Sequence, residues 1–219
     1  MRELLEFVLV GHWRSALAAA VLFAGGLGLS LLLPRRAAGA VAWLPAQVLR
    51  FVLWLMGPAP GLARTAVVIW WFNSTAVFAY MAGGFHPVLP WAFAFWTGLN
   101  VGLLATGAQG GAGARWRLRR PPGAWVPPRA LAAACGVAVL LLELPCFWYA
   151  IALGVGMGVE VQAGADYPEA LSRAGAAYAQ LIVPVLLVSA AAESVVVRGG
   201  ASAAVRPSAA IRHGTGGAE

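Results

Sequence analysis

The residues best suited to do chemistry in this sequence are acidic residues inside apolar stretches, and the first of them is Glu143. It lies near the middle of an apolar run, residues 135–158, that is long enough to cross a bilayer. A carboxyl group at that depth costs about 2.5–3.5 kcal/mol on the insertion scale, so a chain that carries one usually gives it a partner. The favoured role is a hydrogen bond that fixes helix packing. A proton or transport role and recognition of a partner protein remain open.

Three further polar residues interrupt other apolar stretches: Asn73, Asn100 and Glu193. An unpaired amide in hydrocarbon is costly, so each is expected to form a hydrogen bond between helices. We hypothesise that these three residues and Glu143 converge in one buried cluster. A carboxyl group in such a cluster is expected to be neutral, because a low dielectric disfavours the charged form.

No catalytic or metal-binding motif accompanies these polar residues. His12, His86 and His213 lie near the N-terminus, in a short turn and in the tail, without a Ser, Cys or acid at motif spacing. Cys135 and Cys146 are too far apart on one helix for a disulfide and lack the spacing of a zinc site. The sequence therefore predicts a protein that is not an enzyme and that holds no cofactor or metal.

The elements that position these residues are predicted to be transmembrane helices. The chain is 61% hydrophobic and 11% charged, and its mean hydropathy is +0.78, which a soluble domain of 219 residues could not bury. The prediction is an all-α polytopic bundle, with one transmembrane domain at 1–197 and a flexible, basic cytoplasmic tail at 198–219. About five spans are expected, at 15–33, 66–83, 88–106, 130–158 and 179–197.

Residues 41–57 are the ambiguous apolar segment. The run is short, contains Pro45 and carries Arg50 in its middle. An amphipathic helix lying in the membrane interface is favoured, and a re-entrant or spanning segment is the alternative. The choice decides on which side of the membrane the N-terminus lies.

Arginine distribution indicates the orientation, and small residues indicate the packing faces. The polar loop 107–129 holds Arg115, Arg117, Arg119 and Arg120. The positive-inside rule makes them a cytoplasmic anchor in either topology, so the net charge of +7 does not argue for nucleic acid. An anionic-lipid patch is the other interpretation.

Four glycines are expected to permit close helix packing: Gly98, Gly102, Gly154 and Gly158.

Four sequence blocks combine polar and small residues within the apolar stretches. They are Phe72-Asn73-Ser74-Thr75 with Gly83-Gly84, Thr97-Gly98-Leu99-Asn100-Val101-Gly102, Leu142-Glu143-Leu144-Pro145 with trailing glycines, and Ala191-Ala192-Glu193. Together they resemble the stage II sporulation protein M family of small polytopic membrane proteins. The blocks follow the family's order over residues 66–197 and depart from its pattern at Ser74, at Thr97 and at Val139-Leu140.

The resemblance implies a multi-pass scaffold or adaptor in the cell membrane that does no chemistry itself. Such a protein would position a peptidoglycan hydrolase or another envelope partner, as the family's namesake does during engulfment in sporulation, and it could form homo-oligomers. The competing expectation is a membrane subunit of a transporter or exporter, in which Glu143 and Glu193 line a path beside Pro145 and Pro184.

Overall fold

A computed structural model describes Glu6 and residues 10–57, 60–105 and 127–203 of the chain. These residues form α-helices and short helical turns without a strand, which confirms the all-α prediction. The helices are α1 (Trp13–Leu32), α2 (Arg35–Val41), α3 (Trp43–Met56), α4 (Leu62–Ala82), α5 (Leu89–Ala105), α6 (Arg129–Gln162), α7 (Tyr167–Ala177) and α8 (Val183–Ala203).

Four helical stretches of the described chain are long and apolar enough to cross a membrane. They are Trp13–Leu32, Leu62–Phe85, Arg129–Gln162 and Tyr167–Arg198. The chain therefore has the helices of an integral membrane protein. The fifth predicted span, 88–106, corresponds to α5, an apolar helix of 17 residues that packs along α1.

Contacts along α1 fix the directions of its two neighbours. The contact pairs are His12 with Gly156 and Phe23 with Phe147 on α6, and Phe23 with Gly98 and Ser30 with Gly102 on α5. Later positions on α1 meet earlier positions on α6 but later positions on α5. Helix α1 is therefore antiparallel to α6 and parallel to α5.

The same reasoning orients α4 and α8. Asn73 meets Glu143, and Met81 meets Gly154, so α4 runs parallel to α6. The pairs between α4 and the last helical stretch are Pro60 with Arg198, Ser74 with Tyr178 and Ala82 with Tyr167, so this stretch is antiparallel to α4. We name the two ends of the bundle the His12 end and the Arg129 end. The His12 end also contains residues 83–88 and the α6–α7 turn. The Arg129 end also contains Leu33 and the start of α4.

Segment 33–61 begins and ends at the Arg129 end, so it does not cross the bundle. Its helix α3 buries Val52 and Met56 against Ile69 of α4 and Ala190 of α8. Arg64 Nη2 also donates a hydrogen bond of 2.8 Å to the carbonyl of Leu55, which ties the end of α3 to the start of α4. The helix predicted within 41–57 is therefore present and stays at one end of the bundle.

Helix α6 is the central helix of the bundle. It contacts α1, α4, α5, α7 and α8, and residues 150–154 along its length are buried. Aromatic edges fill the α1–α6 seam, where the Phe23 ring lies 6.1 Å from the Phe147 ring and 6.2 Å from the Trp148 ring. Pro145 lies inside the helix and donates no backbone hydrogen bond there.

The last predicted span differs in detail from the observed helix. A π-helical turn, Tyr178–Ile182, separates α7 from α8 just before Pro184, which lacks the N–H that a regular helix needs. Helix α8 continues to Ala203, so the first residues of the tail predicted at 198–219 are helical. Residues 204–219 lie outside the described part of the chain.

Candidate functional site

The candidate site is an interhelical polar cluster centred on Glu143 of α6. Asn73 Nδ2 of α4 donates a hydrogen bond of 2.8 Å to Glu143 Oε1. Ser189 Oγ of α8 donates a second hydrogen bond, of 3.0 Å, to the same oxygen. The carboxyl group therefore joins three helices at one point, which explains how this chain accommodates a polar residue of that cost inside an apolar helix.

Glu193 belongs to the same cluster. It lies four residues after Ser189 on α8, so the two side chains share one face of that helix. Because Ser189 donates to Glu143, this face of α8 is turned toward Glu143 of α6. Glu193 Oε2 is buried and has no hydrogen-bond partner. We name the set Asn73, Glu143, Ser189 and Glu193 the polar cluster.

Asn100 lies apart from the polar cluster, and within the described chain no hydrogen bond joins it to Glu143. It lies on α5, whose main neighbour is α1 rather than α4 or α8. Its Oδ1 atom is buried and has no hydrogen-bond partner. The structure thus joins Asn73 to Glu143 by a hydrogen bond, places Glu193 on the face of α8 that contacts Glu143, and leaves Asn100 in a different seam of the bundle.

The four glycines predicted at packing faces all lie at close helix contacts. A Cβ atom added to Gly98 would lie 2.7 Å from the carbonyl carbon of Phe23, and one added to Gly102 would meet the side chain of Ser30. On α6, a Cβ on Gly154 would lie 2.6 Å from the carbonyl oxygen of Met81. A Cβ on Gly158 would meet the carbonyl oxygen of Gly84. At Gly98, Gly154 and Gly158 glycine lets backbone pack on backbone, and at Gly102 it makes room for a side chain of α1.

A second group of polar residues lies at the His12 end. A cleft with room for about one water molecule (≈ 10 Å³) is lined by His12, Gly156, Glu160 and Arg173, among others. Arg173 Nη2 lies 2.7 Å from Glu160 Oε2, and Arg173 Nη1 lies 2.6 Å from Glu169 Oε1. Burial lowers the pKa of His12, and the negative charge of Glu160 partly opposes this effect.

Sequence reasoning missed Ser189 and Tyr178. Ser189 is fully buried and supplies one of the two hydrogen bonds to Glu143. Its spacing of four residues from Glu193 is the signal that could have found it. Tyr178 donates its hydroxyl hydrogen to the carbonyl of Ser74 and ties the π-helical turn to α4. That pairing has no sequence signal, because the partner is a backbone atom.

The predicted cytoplasmic anchor Arg115, Arg117, Arg119 and Arg120 lies outside the described residues. Among the residues that are described, no group of three or more His, Cys, Asp or Glu side chains could hold a metal ion. Comparison with protein-family models, with curated proteins and with solved structures finds no match for this chain. The fold and the polar cluster define its class, a helical membrane protein with hydrogen bonds between helices at Glu143.

Proposed function

We propose that this chain is a multi-pass scaffold or adaptor of the cell membrane that does no chemistry itself. It would position a cell-wall-remodelling partner, a peptidoglycan hydrolase, as its resemblance to the stage II sporulation protein M family implies. The bilayer and that envelope protein are its partners in this proposal, and a homo-oligomer is compatible with it. Nucleic acid has no part in it.

The observation that carries the proposal is the use of Glu143 as an interhelical brace. Its Oε1 atom accepts both hydrogen bonds of the polar cluster, from α4 and from α8. A side chain that accepts hydrogen bonds from two other helices holds the three helices together. Each interhelical hydrogen bond of this kind stabilises a membrane protein by about 0.6 kcal/mol on average and by at most about 1.7 kcal/mol. A rigid, braced bundle suits a protein that presents surfaces to partners.

The distribution of charge supports an orientation for this scaffold. Exposed or partly exposed arginines at the Arg129 end are Arg50, Arg64, Arg129 and Arg198. Helix α5 ends and helix α6 begins at that end. By the positive-inside rule this end is cytoplasmic in our proposal, and the N-terminus is then outside. Helix α3 lies at the cytoplasmic interface, where exposed Trp43, Phe51 and Trp54 suit the headgroup region.

The opposite, extracytoplasmic end is acidic in this orientation. Glu160, Asp166 and Glu169 stand there against one basic residue of the α6–α7 region, Arg173. Arg173 is already paired with Glu160 and Glu169. The exposed Asp166, at the start of α7, is therefore the acidic group most accessible to a basic surface of an extracytoplasmic partner.

A second candidate function, a membrane subunit of a transporter or exporter, is favoured by one observation. Glu193 Oε2 is buried without a hydrogen-bond partner, one helical turn after Ser189, which contacts Glu143. Unpaired ionisable groups inside a membrane often mark ion or proton paths. In this reading Glu143 and Glu193 line the path.

Crosslinking and co-purification from native membranes distinguish the two functions. The tagged variants are wild type, Glu143→Gln, Glu143→Ala and, as an exposed control, Glu169→Gln. A glutamine keeps an Oε1 acceptor for Asn73 and Ser189, so a scaffold should retain its partner in Glu143→Gln and lose it, with helix packing, in Glu143→Ala.

The expected partner is a stoichiometric cell-wall hydrolase or another envelope protein. Co-purification of an ATPase subunit, or of the chain with nothing but itself, contradicts the scaffold. A Glu143→Gln variant that binds its partner normally but has lost all cellular function supports the transport candidate instead, since a proton-coupled path needs a titratable group.

A further inference from the structure

One face of helix α3 points away from the rest of the bundle. On its inner face, Val52 and Met56 pack against α4 and α8. The residues on the other side follow one another at spacings of four, three and four residues, so they share one face of the helix. They are Trp43, Gln47, Arg50 and Trp54. We name this set the outer face of α3.

Large aromatic rings of the outer face are uncovered. Trp43 and Trp54 are 63% and 72% exposed, and the Trp54 ring stacks on that of Phe51 with 6.0 Å between centroids. Tryptophan is enriched at the headgroup level of bilayers, because its ring is apolar and its N–H needs a polar partner. Segment 33–61 begins and ends at the Arg129 end of the spanning helices. Helix α3 therefore lies at one surface of the bilayer, with lipid headgroups against its outer face.

Arg50 gives the outer face a positive charge. In the amide orientation that suits both neighbours, Gln47 Oε1 accepts hydrogen bonds of 3.2 Å from Arg50 Nη1 and 3.3 Å from Trp43 Nε1. These bonds hold the guanidinium beside the tryptophan, but the amide of Gln47 is neutral and leaves the charge in place. Among the described residues, the ion pairs are those of Arg173 at the opposite end of the bundle. The outer face is therefore complementary to an anionic group.

A second arginine lies at the C-terminal end of α3. Arg64 Nη2 donates a hydrogen bond of 2.8 Å to the carbonyl of Leu55, and its guanidinium carbon lies 3.6 Å from where a Cβ on Gly57 would be. Arginine guanidinium groups bind phosphate oxygens through charge-assisted hydrogen bonds. A phospholipid with a net negative headgroup satisfies both arginines, whereas the choline cation of a zwitterionic lipid offsets the attraction.

We propose that the outer face of α3, together with Arg64, is a binding surface for an anionic phospholipid. Arg50 contacts the negative headgroup, and Trp43 and Trp54 lie beside it at the level of the interface. The occupant is a membrane lipid because the two tryptophans need an apolar environment, which a soluble anion does not supply. This proposal goes beyond the scaffold function and does not depend on it, because lipid binding is a property of the isolated chain.

Native mass spectrometry of the full chain in detergent micelles tests the proposal. The probes are phosphatidylglycerol and phosphatidylcholine with the same acyl chains, and the quantity measured is the dissociation constant of each. Wild type should bind phosphatidylglycerol more tightly. An arginine near an anionic lipid surface is worth about fivefold in affinity, so Arg50→Gln should weaken phosphatidylglycerol binding about fivefold and leave phosphatidylcholine binding unchanged.

Arg173→Gln is the matched control, because it makes the same change in net charge at the opposite end of the bundle. It should leave both dissociation constants as in wild type. Equal affinity of wild type for the two lipids overturns the proposal. So does an unchanged preference in Arg50→Gln, or an equal loss of phosphatidylglycerol binding in Arg173→Gln.

Trp54→Ala separates the aromatic contribution from the charge. The ring does not distinguish the headgroup charges, so this variant should weaken the binding of both lipids by the same factor. Glycerol 1-phosphate should not compete with phosphatidylglycerol at equal concentration. Unchanged binding of both lipids in Trp54→Ala, or competition by glycerol 1-phosphate, overturns the lipid surface.

The salt dependence of wild type covers the case in which a variant does not fold. Added salt screens exposed charges, so the preference for phosphatidylglycerol should decline as the ionic strength rises from about 0.1 to about 1 M, while phosphatidylcholine binding stays constant. Circular dichroism shows whether each variant keeps its helices. A preference for phosphatidylglycerol that is independent of salt also overturns the proposal.

Discussion

The effect of a Gly26→Ala substitution on the free energy of unfolding tests how closely α1 and α5 pack. A Cβ atom at Gly26 would overlap the carbonyl oxygen of Phe95 and lie 2.8 Å from the backbone nitrogen of Leu99. Both obstacles are backbone atoms, so no side chain can rotate away and the helices must separate. Gly25, the preceding residue on the same helix, is exposed, and a Cβ there meets nothing within 4 Å.

The two substitutions should change the free energy of unfolding in opposite directions. Alanine is favoured over glycine inside a helix by about 1 kcal/mol, and this gain applies at both positions. Overpacking of a tight contact costs about 1–3 kcal/mol, with the upper value expected where only backbone can move. Gly26→Ala should therefore lower the free energy of unfolding by about 2 kcal/mol, and Gly25→Ala should raise it by up to about 1 kcal/mol.

The assay is reversible unfolding in mixed micelles with an increasing fraction of a denaturing detergent, followed by circular dichroism. The two variants carry the same chemical change one residue apart, so differences in hydrophobicity and expression cancel. Equal unfolding free energies for Gly25→Ala and Gly26→Ala would refute the close packing of α1 on α5.

Three further outcomes are expected from the same unfolding assay. Ser189→Ala should lower the free energy of unfolding by about 0.6–1.7 kcal/mol through loss of its bond to Glu143, and an effect no larger than that of Ser172→Ala would contradict this role. Burial lowers the pKa of His12, so the unfolded chain binds more protons and stability should fall as the pH drops through the ordinary histidine value near 6.5. His12→Gln should flatten that dependence, and an unchanged slope would exclude His12 as its source. Arg173→Gln should leave the free energy of unfolding almost unchanged, because its two ion pairs are exposed and screened by solvent. A loss as large as that expected for Gly26→Ala would contradict this expectation.

The fold class and most helix positions could be predicted because they depend on local composition. Apolar runs of about 20 residues exclude soluble folds wherever they occur, and the predicted spans fall on α1, α4, α5, α6 and α8. The end of the last helix was less predictable. The tail expected from residue 198 begins with helical residues that continue α8 to Ala203, since the last apolar residue does not mark where backbone hydrogen bonding stops.

The position of segment 41–57 relative to the bundle could not be predicted from the sequence and was decided by the packing of the helices. Its short apolar run with Pro45 and Arg50 favours an interfacial helix, but composition alone leaves a re-entrant or spanning segment open. Ala42 packs with Leu103 near the end of α5, and the end of α3 contacts the start of α4, so both ends of the segment lie at one end of the bundle. A spanning segment is excluded by that geometry alone.

For the polar cluster, the sequence determined that Glu143 needs a partner, because burying a carboxyl group in apolar surroundings is costly wherever the chain folds. Which partner it finds was decided only by the tertiary structure. The rotation and direction of α4 and α8 bring Asn73 and Ser189 to the same carboxyl oxygen, while α5 packs on α1 and keeps Asn100 in another seam. Burial costs are properties of a residue type and can be inferred locally, whereas hydrogen-bond partners depend on how separate helices face each other.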